Sequence, residues 1–520
     1  MKEILYIQAG SLANYAGTHF WNTQESYFTY GEEADSEICH DISFREGLNR
    51  KGEPTFCPRL LAFDRKSNFG ALSQSNALYG TDDDSDMEKE VLWSDDPVEY
   101  KQEPARQSHY QTNMENSVSV RGDAIQLQDV QYWSDFNRLF YIPRTIQKIP
   151  DIPNWEEAEG NWSAGHDEFI RFDQDTGLME GPFRLFLEEC ETIQGIQLVQ
   201  DTSTFGSFIN SFLTSLRDEF GKLPILAWPL LSDAAASGVV DTKRGTQKTI
   251  NDALVLRGLS ELSSMSIPIQ HPATWADEVF SNSYIHASRT HAYHTSAILS
   301  AHIETATLPL RLNGTQDDIS SVIGQLTWRS TSPFAELGGI FPNADTLDLG
   351  RHIYNFSSSY VSKSVFERRV VTRGLSLLGI TSYDEWLSHN SGGNSSTIFS
   401  THAAAYPLPT SFPSFFRPKT PDNVVPMLQR GSHPGILSRP PLTTVFSSIT
   451  TSSGTAHLLA QYARFVEDCA RRNGLVSHVG MDVDDMGDLA NDLWTLHDNA
   501  GGGDGVDDSS DADVHGEDED

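Results

Sequence analysis

Cysteine is scarce in this chain, and its four residues (Cys39, Cys57, Cys190 and Cys469) stand far apart with no CxxC pair. That spacing argues against a zinc site and a disulfide framework, and it fits a reducing compartment. Asn-x-Ser/Thr matches such as Asn161-Trp162-Ser163 then carry no glycosylation meaning. Long apolar runs are missing as well. The longest, Leu223 to Leu231, contains two prolines and reads as a buried strand. It is far short of the roughly 20 residues that a bilayer span needs. The N-terminus has neither the layout of a secretory signal nor the Arg-rich, acid-poor composition of a mitochondrial presequence. Positive charge is the third shortage: 37 Lys and Arg face 72 Asp and Glu, a formal charge of -35. No Lys or Arg follows Arg472, whereas 15 acids lie between Asp482 and Asp520. A second acidic run, Asp82 to Glu99, holds nine acids and only Lys89. Such a surface repels nucleic acid and anionic membrane, so no direct nucleic-acid partner is expected. Walker A, HExxH and GxSxG patterns are all absent, which removes the common alternative chemistries.

What is present suffices for a large fold. A chain of 520 residues, 38% hydrophobic and 10% aromatic, can build two or three packed domains despite a mean hydropathy of -0.39. The first 21 residues read as a short strand (Ile4 to Gln8), a glycine turn at Ala9-Gly10, and a helix opening at Ser11. On that helix Leu12, Tyr15, Ala16, His19 and Phe20 recur at helical spacing. A strand, a tight turn and a helix N-terminus make a natural anion site, because the first helical N–H groups lack internal partners. Further on, Arg59 to Phe63 reads as a strand, and the polar stretch 76–130 as a mobile insertion or a partly helical surface element. Residues 181–231 hold a βαβ unit: strand Ile193 to Val199, helix Phe208 to Phe220, strand Pro224 to Leu231. Ile209, Phe212, Leu213, Leu216 and Phe220 are its buried stripe. This alternation favours a parallel, helix-covered sheet. Residues 245–305 look mostly helical, and Ala456 to Arg472 reads as a final amphipathic helix. The organisation expected is an N-terminal segment with its insertion (1–130), a core (131–305), a C-terminal domain (306–490) and a disordered acidic tail (491–520).

Residue identities add to this. Met1, Lys2, Glu3, Ile4, Ile7, Gln8, Ala9, Gly10, Asn14, Gly17, Phe20 and Trp21 stand at the offsets of the tubulin N-terminus, which this stretch closely resembles. Four further segments resemble tubulin. In Pro58-Arg59 through Asp64-Arg65-Lys66, Asp64 matches, but Lys66 reverses the charge of a Glu on the Mg²⁺ side of the phosphates. In the run 160–166, Asn161, Trp162, Gly165 and His166 match a loop that faces the phosphates in the family. The glycine-rich loop GGGTGSG corresponds to Asp201 through Phe208, where only Gly206 remains. There Phe205 and Phe208 would crowd a phosphate and Asp201 would repel it, while Thr202, Ser203, Thr204 and Ser207 could still donate. Ile250-Asn251 onward resembles YNATLSVHQL, whose Asn contacts the nucleoside end, which makes Asn251 a candidate with a plain surface-helix reading beside it. At the first turn Ser11 replaces a phosphate-side Gln.

A preserved scaffold with an eroded site, an acidic insertion and a divergent C-terminal half is similar to the Misato family, tubulin-related proteins whose fungal members act in mitochondrial partitioning and mitochondrial DNA inheritance. The resemblance implies an α/β, tubulin/FtsZ-like fold: a parallel-sheet nucleotide-binding-type domain, a divergent α+β C-terminal region and the acidic tail. It implies a non-enzymatic factor without a required cofactor, acting through protein partners such as cytoskeletal or tubulin-folding machinery. Its place would be the cytoplasm and the outer mitochondrial surface, as a peripheral protein. The alternative is a GTP-binding, GTP-hydrolysing polymer former. The candidate vestigial site is Gly10, Ser11, Asn14, Asp64, Asn161, Gly206 and Asn251, with no catalytic residue and no metal ligand carried over.

Two other clusters have bland readings. His286, His291, His294 and His302 could share a helical face, but ordinary helix histidines are expected over a metal site. Lys363, Arg368, Arg369 and Arg373 form the one dense basic stretch. It reads as a solvated face, with docking of an acidic partner or lipid headgroups as the functional alternative.

Overall fold

A computed structural model describes residues 2–28, 36–48, 54–72, 106–115, 125–151, 161–234, 243–281, 284–315, 317–329, 332–342, 353–360, 364–375, 377–390, 397–416, 440–472 and 481–502. The first half runs β1 (Glu3–Ala9), α1 (Ser11–Ser26), the hairpin β2 (Phe44–Leu48) and β3 (Pro54–Pro58), β4 (Leu60–Arg65), α2 (His109–Glu115), β5 (Ile146–Ile149), α3 (Trp162–Thr176), β6 (Ile193–Asp201), α4 (Thr202–Glu219), β7 (Ile225–Leu230), α5 (Lys243–Leu262) and β8 (Met265–Ser266). Six of these strands form one sheet in the order β5-β4-β1-β6-β7-β8, and every pair in it is parallel. This is the α/β architecture that the resemblance to tubulin implied.

β1 is buried along its whole length, as a central strand covered on both faces must be. Its alternation sends Ile4 and Tyr6 to one core, with Ala16 and Phe20 of α1, and Leu5, Ile7 and Ala9 to the other, with Phe208 and Phe212 of α4. The stripe predicted on α4 is buried at Ile209, Phe212, Leu213 and Leu216.

The second half runs α6 (Ala292–Thr307), α7 (Ile319–Leu326), β9 (Glu336–Ile340), β10 (Tyr354–Asn355), β11 (Val365–Arg373), α8 (Leu377–Asn390), β12 (Thr397–Ala403), the short pair β13 (Tyr406–Pro407) and β14 (Leu442–Thr443), β15 (Val445–Ser452), α9 (Gly454–Arg471) and α10 (Val483–His497). A five-stranded sheet has the order β10-β9-β15-β11-β12, antiparallel except for β11 with β12. α6 packs against α1 on one side and against β9, β11 and β15 on the other, so it joins the two halves.

Four expectations are corrected. α4 begins at Thr202, directly after β6, and not at Phe208. Without glycines to hold a loop open, the helix starts at once, and the Thr202 hydroxyl lies 3.0 Å from Leu230 O. The tail is not disordered from residue 491: α10 runs to His497, a further turn reaches Gly502, and Leu493 and Ala500 are buried against α9 and α5. Residues 503–520 lie outside the described residues. The basic stretch is not a solvated face. Arg369 is buried and pairs with Asp317 and Gln325, Arg373 is buried against Glu304, and the Arg368 guanidinium lies 5.4 Å from the Trp386 ring centre. Lys363 lies outside the described residues. Within 76–130, α2 is ordered, its Tyr110 hydroxyl 2.9 Å from Thr410 Oγ1, so the helical alternative holds there. Residues 73–105 and 116–124 of that stretch lie outside the described residues.

Where the halves meet, α1 is buried nearly all round from Ala13 to Gln24, so its polar residues need partners as much as its apolar ones. They find them across the junction: Asn22 Nδ2 donates to Phe136 O and Ser411 Oγ at 2.9 Å, and Thr23 Oγ1 lies 2.8 Å from Tyr406 OH. Gln24 donates to Glu304 at 3.1 Å. Glu304 is fully buried between two guanidiniums, Arg373 at 2.7 Å and Arg311 at 3.3 Å, and also accepts from Tyr27 OH at 2.9 Å. Arg373 in turn donates to Ala404 O at 2.9 Å. Removing one member of such a set leaves an uncompensated buried charge. Glu304→Gln is therefore expected to lower unfolding stability by about 3–5 kcal/mol in urea titration. A loss under about 1 kcal/mol would show that the cluster does not hold the halves together.

Candidate functional site

The β1–α1 turn is built as the sequence suggested. Gly10 has φ 103°, a region that other residues adopt only under strain, and its N–H donates to Phe63 O at 3.1 Å. The unpaired N–H groups that open α1 are not left for a ligand. Asp201, the last residue of β6, reaches across and accepts from Leu12 N through Oδ2 and from Ala13 N through Oδ1, both at 2.9 Å. Its side chain does not cap its own helix, α4. A Cβ at Gly10 would come within 2.5 Å of Asp201 Oδ2, so the glycine leaves room for this carboxylate. The expected repulsion between Asp201 and phosphate thus takes a stronger form: Asp201 occupies the anion position itself.

The other candidates divide. Asn14 is buried and donates to Phe63 O at 2.8 Å and to Asp64 Oδ2 at 3.2 Å, while its Oδ1 has no partner. Asp64 is fully buried and surrounded by donors: Arg65 N and Asn68 Nδ2 at 2.8 Å on Oδ1, Asn14 Nδ2 and Trp133 Nε1 on Oδ2. Four donors fill the acceptor capacity of a carboxylate, so Asp64 has no lone pair to spare for a cation. Burial raises its pKa, and these hydrogen bonds pull the other way. Beside it Lys66 is exposed, and Lys148 pairs in register with Asp64; burial and then the Lys66 charge lower the Lys148 pKa. Two lysines are a poor setting for Mg²⁺.

Ser11 is the first residue of α1 and is half-buried. Asn161 is exposed and caps α3, its Oδ1 accepting from Ala164 N at 3.2 Å. The run that follows packs on α4: Ser207 donates to Trp162 O, His166 Nδ1 lies 2.8 Å from Ser211 Oγ, and a Cβ on Gly165 would meet Ser207 Cβ at 2.8 Å. Gly206 lies inside α4, where a Cβ would meet Val255 of α5 at 2.5 Å. It lets α4 and α5 pack closely. Asn251 is buried on α5, so the surface reading fails, and its Oδ1 has no partner.

The residue beside it does more. Asp252 is fully buried and accepts from Thr202 Oγ1, from Ser232 Oγ at 2.7 Å and N at 3.2 Å, and from Tyr462 OH at 3.0 Å. It ties the start of α4, the end of β7 and the C-terminal helix α9 together. The structure therefore brings together Gly10, Asn14, Asp64 and Asp201, and it commits Thr202 and Ser207 to internal bonds. Gly206 and Asn161 serve helix packing and capping. Sequence reasoning missed Asp252 and the inward role of Asp201. The available signal was an acid at the C-terminal end of a strand, facing the N-terminus of a neighbouring helix.

Two of the four histidines are on α6 and are structural, whereas His286 and His291 precede that helix and are exposed. His302 is buried, 2.9 Å from Ser447 Oγ, and burial pushes its pKa down to about 3. His294 accepts from Ser288 N at 2.9 Å and is lowered to about 4 by burial, then by His291 and His286. No cluster of three or more His, Cys, Asp or Glu able to hold a metal occurs among the described residues. No helix among them is long and apolar enough to cross a membrane.

Comparison with known proteins agrees with this fold. Residues 2–116 match the Misato Segment II tubulin-like domain, and residues 123–312 match the Tubulin domain. Protein dml1 of Aspergillus niger is 31% identical over 503 residues, covering 92% of this chain and 96% of that protein. Protein DML1 of Phaeosphaeria nodorum is 36% identical over 316 residues, 60% of this chain and 59% of that one. Protein misato of Drosophila melanogaster is 29% identical over 357 residues, 61% of each. With several fungal relatives the match thus spans about three fifths of the relative's length, 59% in the Phaeosphaeria nodorum protein and 64% in Protein dml1 of Aspergillus oryzae.

Asp252 gives a pH test. Burial raises its carboxyl to about 6, against the hydrogen bonds from Thr202, Ser232 and Tyr462. The unfolded residue titrates near 3.9, so from about pH 4 to 6 the folded chain holds a proton that the unfolded chain has released. This group's contribution to stability therefore falls as pH rises through that window and is flat above it. Urea stability of the wild type minus that of Asp252→Asn should drop by about 2 kcal/mol from pH 4 to 6. A difference that rises over the same window would contradict the assignment.

Proposed function

The chain belongs to the Misato/DML1 family, and from that premise we propose that it is a tubulin-like scaffold working without a bound nucleotide. In this reading it serves mitochondrial partitioning and mitochondrial DNA inheritance from the cytoplasm and the outer surface of the organelle. It acts through protein partners, with cytoskeletal and tubulin-folding proteins the first to test. One observation carries the nucleotide-independent part: the Asp201 carboxylate on the Leu12 and Ala13 N–H groups. A triphosphate would have to displace a tethered anion and then bring its own negative charge beside it. The saturated Asp64 and the collapse of the glycine loop into α4 support the same conclusion. The mitochondrial part rests on family membership. The second reading, a GTP-binding and GTP-hydrolysing polymer former, draws on the retained Gly10 turn and on the unpaired, buried Oδ1 atoms of Asn14 and Asn251.

A cellular replacement separates the two. Asn161→Asp keeps a good helix cap and adds negative charge to a loop that faces the phosphates in tubulins. Cells whose only copy carries this change are expected to partition mitochondria normally at unchanged protein level. Loss of mitochondrial inheritance in those cells would favour the nucleotide-dependent reading. Normal partitioning after depletion of the protein altogether would overturn the mitochondrial role.

A further inference from the structure

The second sheet ends in an open edge. β12 pairs with β11 from Thr397 to Ala403 in unbroken register, and among the described residues no strand pairs with its other side. One face of β12 meets α8. Ile398 packs with Tyr383 and Trp386, Ser400 Oγ is bonded to the Tyr383 hydroxyl, and the His402 ring stands edge-on to Tyr383 at 5.2 Å. The opposite face, Thr397, Phe399, Thr401 and Ala403, lies in register with the buried Glu367, Arg369, Val371 and Arg373, and Ala403 packs with Leu308 and Val371; the exposed residues of the strand are Thr397, Ser400 and His402. Every second residue of an edge strand turns its N–H and C=O outward, and an extended peptide can satisfy the whole row at once.

Native sheet edges are normally protected by charge, proline, a bulge or shortness. The other edges here follow that rule: β5 is four residues with Lys148, and β8 and β10 are two residues each. β12 is seven residues, TIFSTHA, without one charged residue, proline or glycine. An edge this long and unprotected is an aggregation hazard unless something occupies it. A second copy is a poor occupant, because two chains of charge -35 repel. The same field draws in a basic segment.

We propose that β12 is a docking edge for an extended, basic, β-branched segment of a partner protein, which adds to the five-stranded sheet as its sixth strand. Main-chain hydrogen bonds supply the affinity, and the exposed Ser400 and His402 contact alternate side chains of the incoming strand. This rests on the reading that the chain works through protein partners and names one surface for them. If the edge binds nothing, the cellular outcome described above is untouched.

The test is hydrogen exchange on the full chain with a synthetic Lys/Thr/Val alternating peptide as probe. A peptide of equal charge with proline at every second position serves as control, since it cannot complete the ladder. The outward amides of residues 397–403 are expected to exchange freely in the chain alone and to slow about tenfold or more with the extended peptide only. Thr397→Lys, at an exposed position, should abolish that protection at an unchanged unfolding midpoint, and His402→Lys, also exposed, is the second variant should the first misfold. Three results would overturn the proposal. Slow exchange in the chain alone means that a segment of the chain covers the edge. Protection that grows with chain concentration means a second copy does. No protection, or equal protection by both peptides, means that no strand is added.

Discussion

A carboxylate at the end of β6 and two amides at the start of α1 meet at 2.9 Å, and much of the surrounding arrangement follows from that contact. The first turn of a helix presents unpaired N–H groups and partial positive charge. Left open, it attracts phosphate. Filled by Asp201, it becomes a joint between the central strands of the first sheet. The contact requires Gly10 in its positive-φ turn, and it lets α4 begin at Thr202 without a loop between strand and helix. A tethered carboxylate has a high effective concentration, so a soluble anion competes poorly for the same two donors. The geometry of an anion site is thereby kept while its availability is lost.

A second set of buried charges fixes the halves of the molecule relative to one another. Glu304 on α6, Arg373 on β11, Arg311 after the helix, and Tyr27 and Gln24 at the end of α1 form one satisfied network. Asp252 does the same between α4, α5 and α9 through Tyr462. Buried polar networks of this kind give little net stability over an apolar core, but they penalise any arrangement that separates their members. Both networks resist opening of the core around α4 and α6. The proposed nucleotide-independent scaffold would have no need for such opening.

Much of this was legible in the sequence. The strand–turn–helix at residues 3–26, the stripe on α4 and the parallel sheet follow from periodicity and from the tubulin-like run around Gly10. Local pattern could not show where isolated polar residues end up. Gly206 reads as a loop glycine until Val255 is seen against it, and Arg369 and Arg373 read as surface cations until Asp317 and Glu304 are seen beside them. α1 was expected to bury one face, but its polar side is buried too, because residues up to 389 positions away supply its partners. The helix at Val483–His497 was masked by acidic composition, although Met486, Leu489 and Leu493 hold a buried stripe within it. Long-range pairing, not propensity, decided each of these cases.

The central claim is that Asp201 has replaced the phosphate of a nucleotide. Calorimetric titration of GTP with Mg²⁺ into the purified, nucleotide-stripped chain tests it most directly. The account predicts no saturable heat up to about millimolar GTP, whereas stoichiometric binding with a Kd near 1 μM would contradict it.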